Sequence, residues 1–278
     1  MSRWNTVAIY GVGLIGGSIG MALRNRELAD DVVGIGRNPD RLQSAKDAGA
    51  ITSFITDFAH APQMDIVVLC TPVQKIAEHC AQVFAHSNSA LITDAGSTKQ
   101  RLVAEIEQNL PKANFVGSHP LAGSDQSGVE HADGELFVDR VVVVTPTANT
   151  KSHSREAVSA FWTALGARIV EMSPADHDRA LAATSHLPHV LASALAAETS
   201  EDHLDLIAGG WRDSTRIAAA HVGLWTQILQ ENQENVAEAL ARIQSRLAAF
   251  EAALRANDHQ TITRLLTAGK QRRDALGS

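Results

Sequence analysis

The sequence predicts an α/β chain in two parts, a mostly parallel sheet domain over residues 1–172 and an all-α domain over 173–278. Three observations carry this. Short β-branched runs alternate with helical stretches up to Glu171, the pattern of βαβ units. The first run leads straight into Gly11-Val-Gly-Leu-Ile-Gly16. After Ser173-Pro174 no strand-like run appears, and Ala, Leu, Glu, Gln and Arg dominate.

Taken in order, Thr6–Tyr10 reads as a strand, Leu14 to about Leu28 as a helix, Asp31–Gly36 as the next strand and Pro39–Ala48 as a helix. Ile66–Cys70, Ala90–Thr93 and Asn114–Gly117 are further buried-looking strands, separated by helices near 73–85 and 97–109. Val141–Thr145, a helix near 152–165 and Arg168–Glu171 complete this half. Ser173 then suits an N-cap with Pro174 in the first turn. In the helical half Val236, Leu240, Ile243, Leu247, Phe250 and Leu254 step by four and three, an apolar stripe that must be buried.

The chain has 278 residues, 45% of them apolar and 20% charged, enough for a substantial core. Its formal charge of −7 argues against nucleic acid or a polybasic membrane footprint. Cys70 and Cys80 cannot build a disulfide framework and fit no zinc spacing; Cys70 ends an apolar run and reads as a buried thiol. With no stretch of about 18 apolar residues and no export signal, a cytoplasmic, membrane-free protein is expected.

Gly11, Gly13 and Gly16 have the dinucleotide fingerprint in its required frame, after a strand and opening a helix, so the first domain is expected to be Rossmann-type. The first glycine permits a tight turn, the second lets backbone approach pyrophosphate, and the third lets helix and strand pack. The amides that follow, from Leu14 and Ile15, are then free to hold phosphate with the helix dipole. Where an NAD site usually carries Asp or Glu, this chain has Gly36, then Arg37, Asn38 and Arg41. A guanidinium with no carboxylate to repel a 2′-phosphate makes NADP the better electrostatic match, with NAD the alternative. Thr71-Pro72, at the carboxyl end of a strand, is expected near the cofactor's ribose or nicotinamide.

Gly117-Ser-His-Pro-Leu-Ala-Gly-Ser-Asp-Gln-Ser-Gly128 places His119 among small residues and turn formers, so a loop that presents the imidazole is expected. A cofactor loop plus one presented imidazole is the minimum kit for taking hydride from an alcohol carbon. Ser97, in Asp94-Ala-Gly-Ser-Thr-Lys99, is either a ligand-side residue at a strand end or a plain helix N-cap. His186 and His189 lie in Ser-His-Leu-Pro-His; no carboxylate or thiol nearby supports a metal, and each alone reads as structural. His60, His79, His153 and His259 lie on polar stretches and are expected to be solvated. Asp213 and Arg216 share a face if their segment is helical, so the carboxylate is expected to hold the guanidinium. A helix carrying Trp225 follows.

With these segments assembled, the chain resembles the prephenate/arogenate dehydrogenases of tyrosine biosynthesis over nearly its whole length. The resemblance rests on residues 11–18, 94–99, 119–123, 185–189 and 213–218. It implies oxidative decarboxylation of prephenate to 4-hydroxyphenylpyruvate, of arogenate to tyrosine, or of both. It assigns the substrate's hydroxyl proton to His119, with Ser97 hydrogen-bonding hydroxyl and imidazole. Arg216, positioned by Asp213, is then expected to hold a substrate carboxylate, and Ser124, His189 and Trp225 to line the cleft. Where the family commonly has Glu, two positions beyond its His-Pro-Leu-Ala-Gly, this chain has Asp125, whose shorter carboxylate weakens any gating ion pair. A regulatory or mutase domain has no room before Ser278, so tyrosine feedback is expected only at the active site.

Two other readings compete. A β-hydroxyacid dehydrogenase shares the two-part plan but relies on a lysine in its helical half, and residues 173–269 contain none. A nucleotide-sensing module without turnover has no need of His119, Ser97 and Arg216 together. The long stripe, extended by Ile262, Leu265 and Leu266, predicts a homodimer built by the helical half.

Overall fold

In the computed structural model, which describes residues 3–59, 61–122 and 126–277, eight strands form one sheet. They are β1 (Trp4–Tyr10), β2 (Ala29–Ile35), β3 (Ser53–Ile55), β4 (Ile66–Leu69), β5 (Leu91–Asp94), β6 (Phe115–Pro120), β7 (Val141–Thr145) and β8 (Arg168–Glu171). Their order is β3-β2-β1-β4-β5-β6-β7-β8, and all neighbours run parallel except β6 and β7. The short edge strand β3 has no counterpart in the sequence reading; its three residues are too few for a pattern.

Alternation along each central strand feeds two cores, one per face. Val7, Ile9, Val32, Ile66, Val68 and Leu91 point to one side, where α1 (Leu14–Asn25) and α5 (Ser152–Ala164) cover them with Ile19, Leu23, Phe161 and Trp162. Ala8, Tyr10, Val33, Ile35, Val67, Leu69 and Ile92 point to the other. There α3 (Val73–His86) and α4 (Gln100–Asn109) supply Ile76, Val83, Leu102 and Ile106. Each such aliphatic side chain contributes about 1.5–3 kcal/mol by leaving water. A sheet buried on both faces explains the near-continuous apolar runs of β4 and β7.

His119 lies in a strand, not in a loop. It pairs with Val143 across the antiparallel β6/β7 ladder, and only the backbone around it explains the composition. A Cβ on Gly117 would come within 2.6 Å of Thr145 Oγ1, so glycine is there for close approach. Pro120 ends the strand, where a missing N–H is tolerated.

The second half is helical throughout: α6 (Pro174–Leu181), α7 (Leu187–Glu198), α8 (Gly209–Thr215), α9 (Val222–Glu231), α10 (Gln233–Arg255) and α11 (His259–Asp274). Ser173 caps α6 by accepting from the Asp176 N–H at 3.1 Å. A π-helical turn at Ala182–His186 joins α6 to α7, giving one continuous helix over Pro174–Glu198. By length and composition alone this helix could cross a membrane, a property the sequence reading did not find; its buried His177, Asp178, His186 and His189 instead suit a protein interior. Along α10 the stripe is buried only at Val236, while Leu247 and Leu254 are 54% and 64% exposed. Among the described residues, nine of the twelve exposed large apolar side chains lie beyond residue 173.

Candidate functional site

Parallel pairing brings the carboxyl ends of β1, β4, β5 and β6 to one edge of the sheet. Neighbouring strands lie about 4.8 Å apart, so this edge carries a line of segments roughly 14 Å long from β1 to β6. β1 pairs with β2 on one side and β4 on the other, which makes the end of β1 the switch point where open α/β sheets bind ligands.

The glycine loop fits a dinucleotide. Gly11 has φ +96°, and a Cβ there would come within 2.9 Å of the Cys70 carbonyl and Thr71 Cγ2. A Cβ on Gly16 would lie 2.2 Å from the Gly11 carbonyl and 2.8 Å from Ile9 Cγ2, which is helix pressed on strand. A Cβ on Gly13 would meet no other described residue within 4 Å beyond its chain neighbours. Gly13 is the N-cap of α1, which has no side-chain cap and no acid in its first turn. The amides opening α1, through Leu14 and Ile15, are thus left for an anion.

Thr71 stands beside this loop, and Pro72 is the N-cap of α3. Thr71 Oγ1 lies 2.8 Å from His79 Nδ1, and His79 stacks on Tyr10 with centroids 4.0 Å apart. His79 is therefore half-buried rather than solvated as the sequence reading had it, and burial lowers its pKa. Its polar sequence neighbours conceal that it sits on the inner side of α3. His153 and His259 are exposed, and His60 lies outside the described residues. Cys70 is half-buried and Cys80 buried; burial pushes both thiols up, Cys80 to about 12. Arg37 is exposed at the end of β2, near enough to Tyr10 and His79 to affect both electrostatically. Asn38 caps α2 (Pro39–Asp47), accepting from the Arg41 N–H at 3.0 Å.

At the ends of β5 and β6 a buried polar network holds the backbone in place. The Asp94 carboxylate accepts from the Ser118 N–H at 3.0 Å and the Gly96 N–H at 2.8 Å, and pairs with the Lys99 ammonium. Both charges are fully buried, and burial is the main cause that lowers the Lys99 pKa. Ser118 Oγ donates to the Asp94 carbonyl at 2.5 Å and accepts from Trp162 Nε1 at 2.9 Å. The network fixes the residue next to His119. Ser97, in the loop between β5 and α4, is half-buried, and no other described residue engages its hydroxyl. It is not the N-cap of α4; that place belongs to Lys99.

The cap comes instead from the helical half. Asp178 Oδ1 accepts from the Lys99 N–H at 2.8 Å, and Oδ2 accepts from the Gln100 N–H at 2.9 Å. Oδ1 also lies 2.7 Å from His177 Nδ1, and His177 Nε2 lies 2.9 Å from His119 Nδ1. Burial foremost, then the nearness of His177, Lys99 and His186, holds His119 well below the usual imidazole value of 6.5. The imidazole is neutral at pH 7, as a proton acceptor must be.

His189 and Trp225 lie together, their rings stacked with centroids 3.5 Å apart. His186 is buried as well; its Nδ1 accepts from Asn232 Nδ2 at 3.0 Å, and the same amide donates to the Asp178 carbonyl at 2.7 Å. Asp213 and Arg216 are not paired. Helix α8 ends at Thr215 and a 3-10 turn begins at Arg216; both side chains are exposed, where an ion pair contributes little. Ser124 lies outside the described residues. Among the described residues no group of three or more His, Cys, Asp or Glu is placed to hold a metal. The sequence reading passed over His177, Asp178 and Asn232; an adjacent His-Asp pair just after a helix start was the one local signal.

Residues 19–171 match the family model for the prephenate dehydrogenase nucleotide-binding domain, and residues 173–268 match that for the prephenate dehydrogenase dimerization domain. The chain belongs to the prephenate dehydrogenase family. Prephenate dehydrogenase of Bacillus subtilis is 33% identical over 98% of this chain and 76% of its own length. The crystal structure of prephenate dehydrogenase from A. aeolicus with hydroxyphenyl propionate and NAD+ superimposes with a TM-score of 0.90, at 32% identity over 98% of this chain and 99% of that one. Synechocystis arogenate dehydrogenase gives 0.85 at 28% identity, over 98% and 99%. A member of this family uses a nicotinamide cofactor and is an oxidoreductase, in agreement with the glycine loop and the neutral imidazole on one sheet edge.

Proposed function

We propose that this chain catalyses oxidative decarboxylation of prephenate, arogenate or both, with residues 1–172 binding the cofactor and 173–278 completing the substrate site. The observation that carries it is His119, neutral and hydrogen-bonded through Nδ1, on the same sheet edge as the glycine loop. When bound, the nicotinamide supplies the hydride acceptor. His119 takes the proton of the ring hydroxyl as the carbon bearing it loses hydride; the bond to the ring carboxylate breaks to release CO2, and its electrons complete the aromatic ring. The proton then returns to the phenolate oxygen, so no net proton is released. Aromatisation drives the reaction, and the protein's share is orientation and proton transfer.

In this reading Ser97 hydrogen-bonds the hydroxyl, and Ser124, His189 and Trp225 line the cleft. Arg216 holds a carboxylate, with Asp213, three residues before it, as the group that positions it. Gly11, Gly13, Leu14, Ile15, Gly16, Thr71 and Pro72 hold the cofactor, and Arg37 favours NADP over NAD. Two copies associate through the exposed apolar side chains of the helical half. The acidic balance and the buried polar residues of the Pro174–Glu198 helix support a cytoplasmic place. The test is a steady-state assay of both substrates against both cofactors, with CO2 and the aromatic product measured. Turnover of at least one substrate is expected, reduced about 10²–10⁴-fold by His119→Ala; no turnover of either overturns the reading.

A further inference from the structure

We infer that His177 and Asp178 are positioning residues that lock His119 in the tautomer with a bare Nε2, an inference that rests on His119 being the base. The argument is a count of donors. The Asp178 carboxylate can only accept, and it already takes the Lys99 and Gln100 N–H groups. The 2.7 Å contact to His177 Nδ1 therefore requires a proton on that nitrogen. A neutral His177 then has no proton on Nε2, which must accept. The 2.9 Å contact from His119 accordingly places the His119 proton on Nδ1, and Nε2 is left with its lone pair. No other described residue engages that nitrogen.

Both relay residues are sealed from water, His177 at 0% and Asp178 at 1% exposure. With one proton on His177, the alternative arrangement leaves a carboxylate facing a lone pair, so burial strongly prefers the chosen tautomer. When His119 gains a proton it becomes a cation, and the same bonds pass part of that charge toward Asp178. This logic is that of a base oriented by a third group, here delivered through a second imidazole.

Nitrogen-15 spectra of the imidazoles in histidine-labelled full-length protein test it, with kcat measured in parallel. The wild type is expected to show His119 protonated at Nδ1. Asp178→Ala leaves the His177 Nδ1–H without its acceptor, so His119 is expected to populate both tautomers, with kcat lowered about 10²–10⁴-fold and cofactor KM within about twofold. Because Asp178 also caps α4, two variants at His177 separate relay from cap. His177→Gln keeps an acceptor oxygen near the Nε2 position and is expected to retain at least tenfold more turnover than His177→Leu. A wild-type His119 protonated at Nε2, or equal turnover in the two His177 variants, overturns the inference. Wild-type protein without turnover on either substrate defeats the functional reading instead, and the spectra still decide the tautomer.

Discussion

Trp225 of α9 lies face to face with His189 of α7, the rings 10° from parallel and 3.5 Å apart between centroids. The indole also meets His186 edge-on at 6.1 Å, so one aromatic side chain braces both histidines. Burial lowers the His189 pKa, which keeps that ring neutral beneath the indole.

Trp225→Ala is expected to raise substrate KM about tenfold or more while leaving cofactor KM unchanged, because the bracing concerns the helical wall alone. Loss of the stack costs about 0.5–1.5 kcal/mol beyond the lost burial. Initial-rate kinetics and denaturant melts measure the two effects separately; unchanged substrate KM removes the pair from the binding wall.

Stability is expected to fall as pH drops below 6.5. His186 is lowered to about 4, mainly by burial, so between pH 6.5 and 4 the unfolded chain binds a proton the folded chain refuses. Where the unfolded state binds more protons, stability rises with pH, and the loss on acidification reaches on the order of 3 kcal/mol from this group. His119 acts in the same direction. His186→Asn keeps an acceptor for the Asn232 amide and is expected to flatten the profile of unfolding free energy against pH; a wild-type profile already flat from 7 to 4 contradicts the argument.

Gly36→Asp is expected to shift preference from NADP toward NAD. The nearest atoms to a Cβ at Gly36 are Leu42 side-chain carbons at 3.5–3.7 Å, ordinary contact, so the fold survives. The new carboxylate accepts from a 2′-hydroxyl and repels a 2′-phosphate. The ratio of kcat/KM for the two cofactors reads it directly; a wild type strongly favouring NAD shows that Arg37 does not act as inferred.

Light scattering at micromolar concentration is expected to give the mass of two chains. Leu254→Glu together with Leu247→Glu places charge on residues already 64% and 54% exposed, so each chain still folds while the pair dissociates. A wild-type monomer with full activity sinks the homodimer.

How much of this was legible in the sequence follows from range. The glycine loop, the strand ends and Ser173 as a cap are local, set by neighbours within a few positions, and they lie where the pattern puts them. Local composition points to a loop at His119 because its strand partner, Val143, lies far along the sequence. The spacing of Asp213 and Arg216 puts them on one face, but spacing does not show that both side chains are exposed, where water competes with the pair. The relay was invisible for the same reason of distance: His177 and Asp178 read as polar first-turn residues until His119 and the start of α4 are brought to them. Lys99, a charge that composition places on the surface, is buried only because Asp94 is buried with it.

The cap on α4 also limits how such chains can be recombined. The change of texture near residue 172 invites a splice there, with a cofactor half from one relative and a helical half from another. Two amides of the first half would then await a carboxylate that the incoming segment must bring to the right place. Each left unmatched in a buried setting costs about 1–3 kcal/mol, and the imidazole that does the chemistry loses its orientation at the same stroke. What looks like a seam in the chain is a shared joint, and grafts across it should succeed only between partners that carry both sides of it.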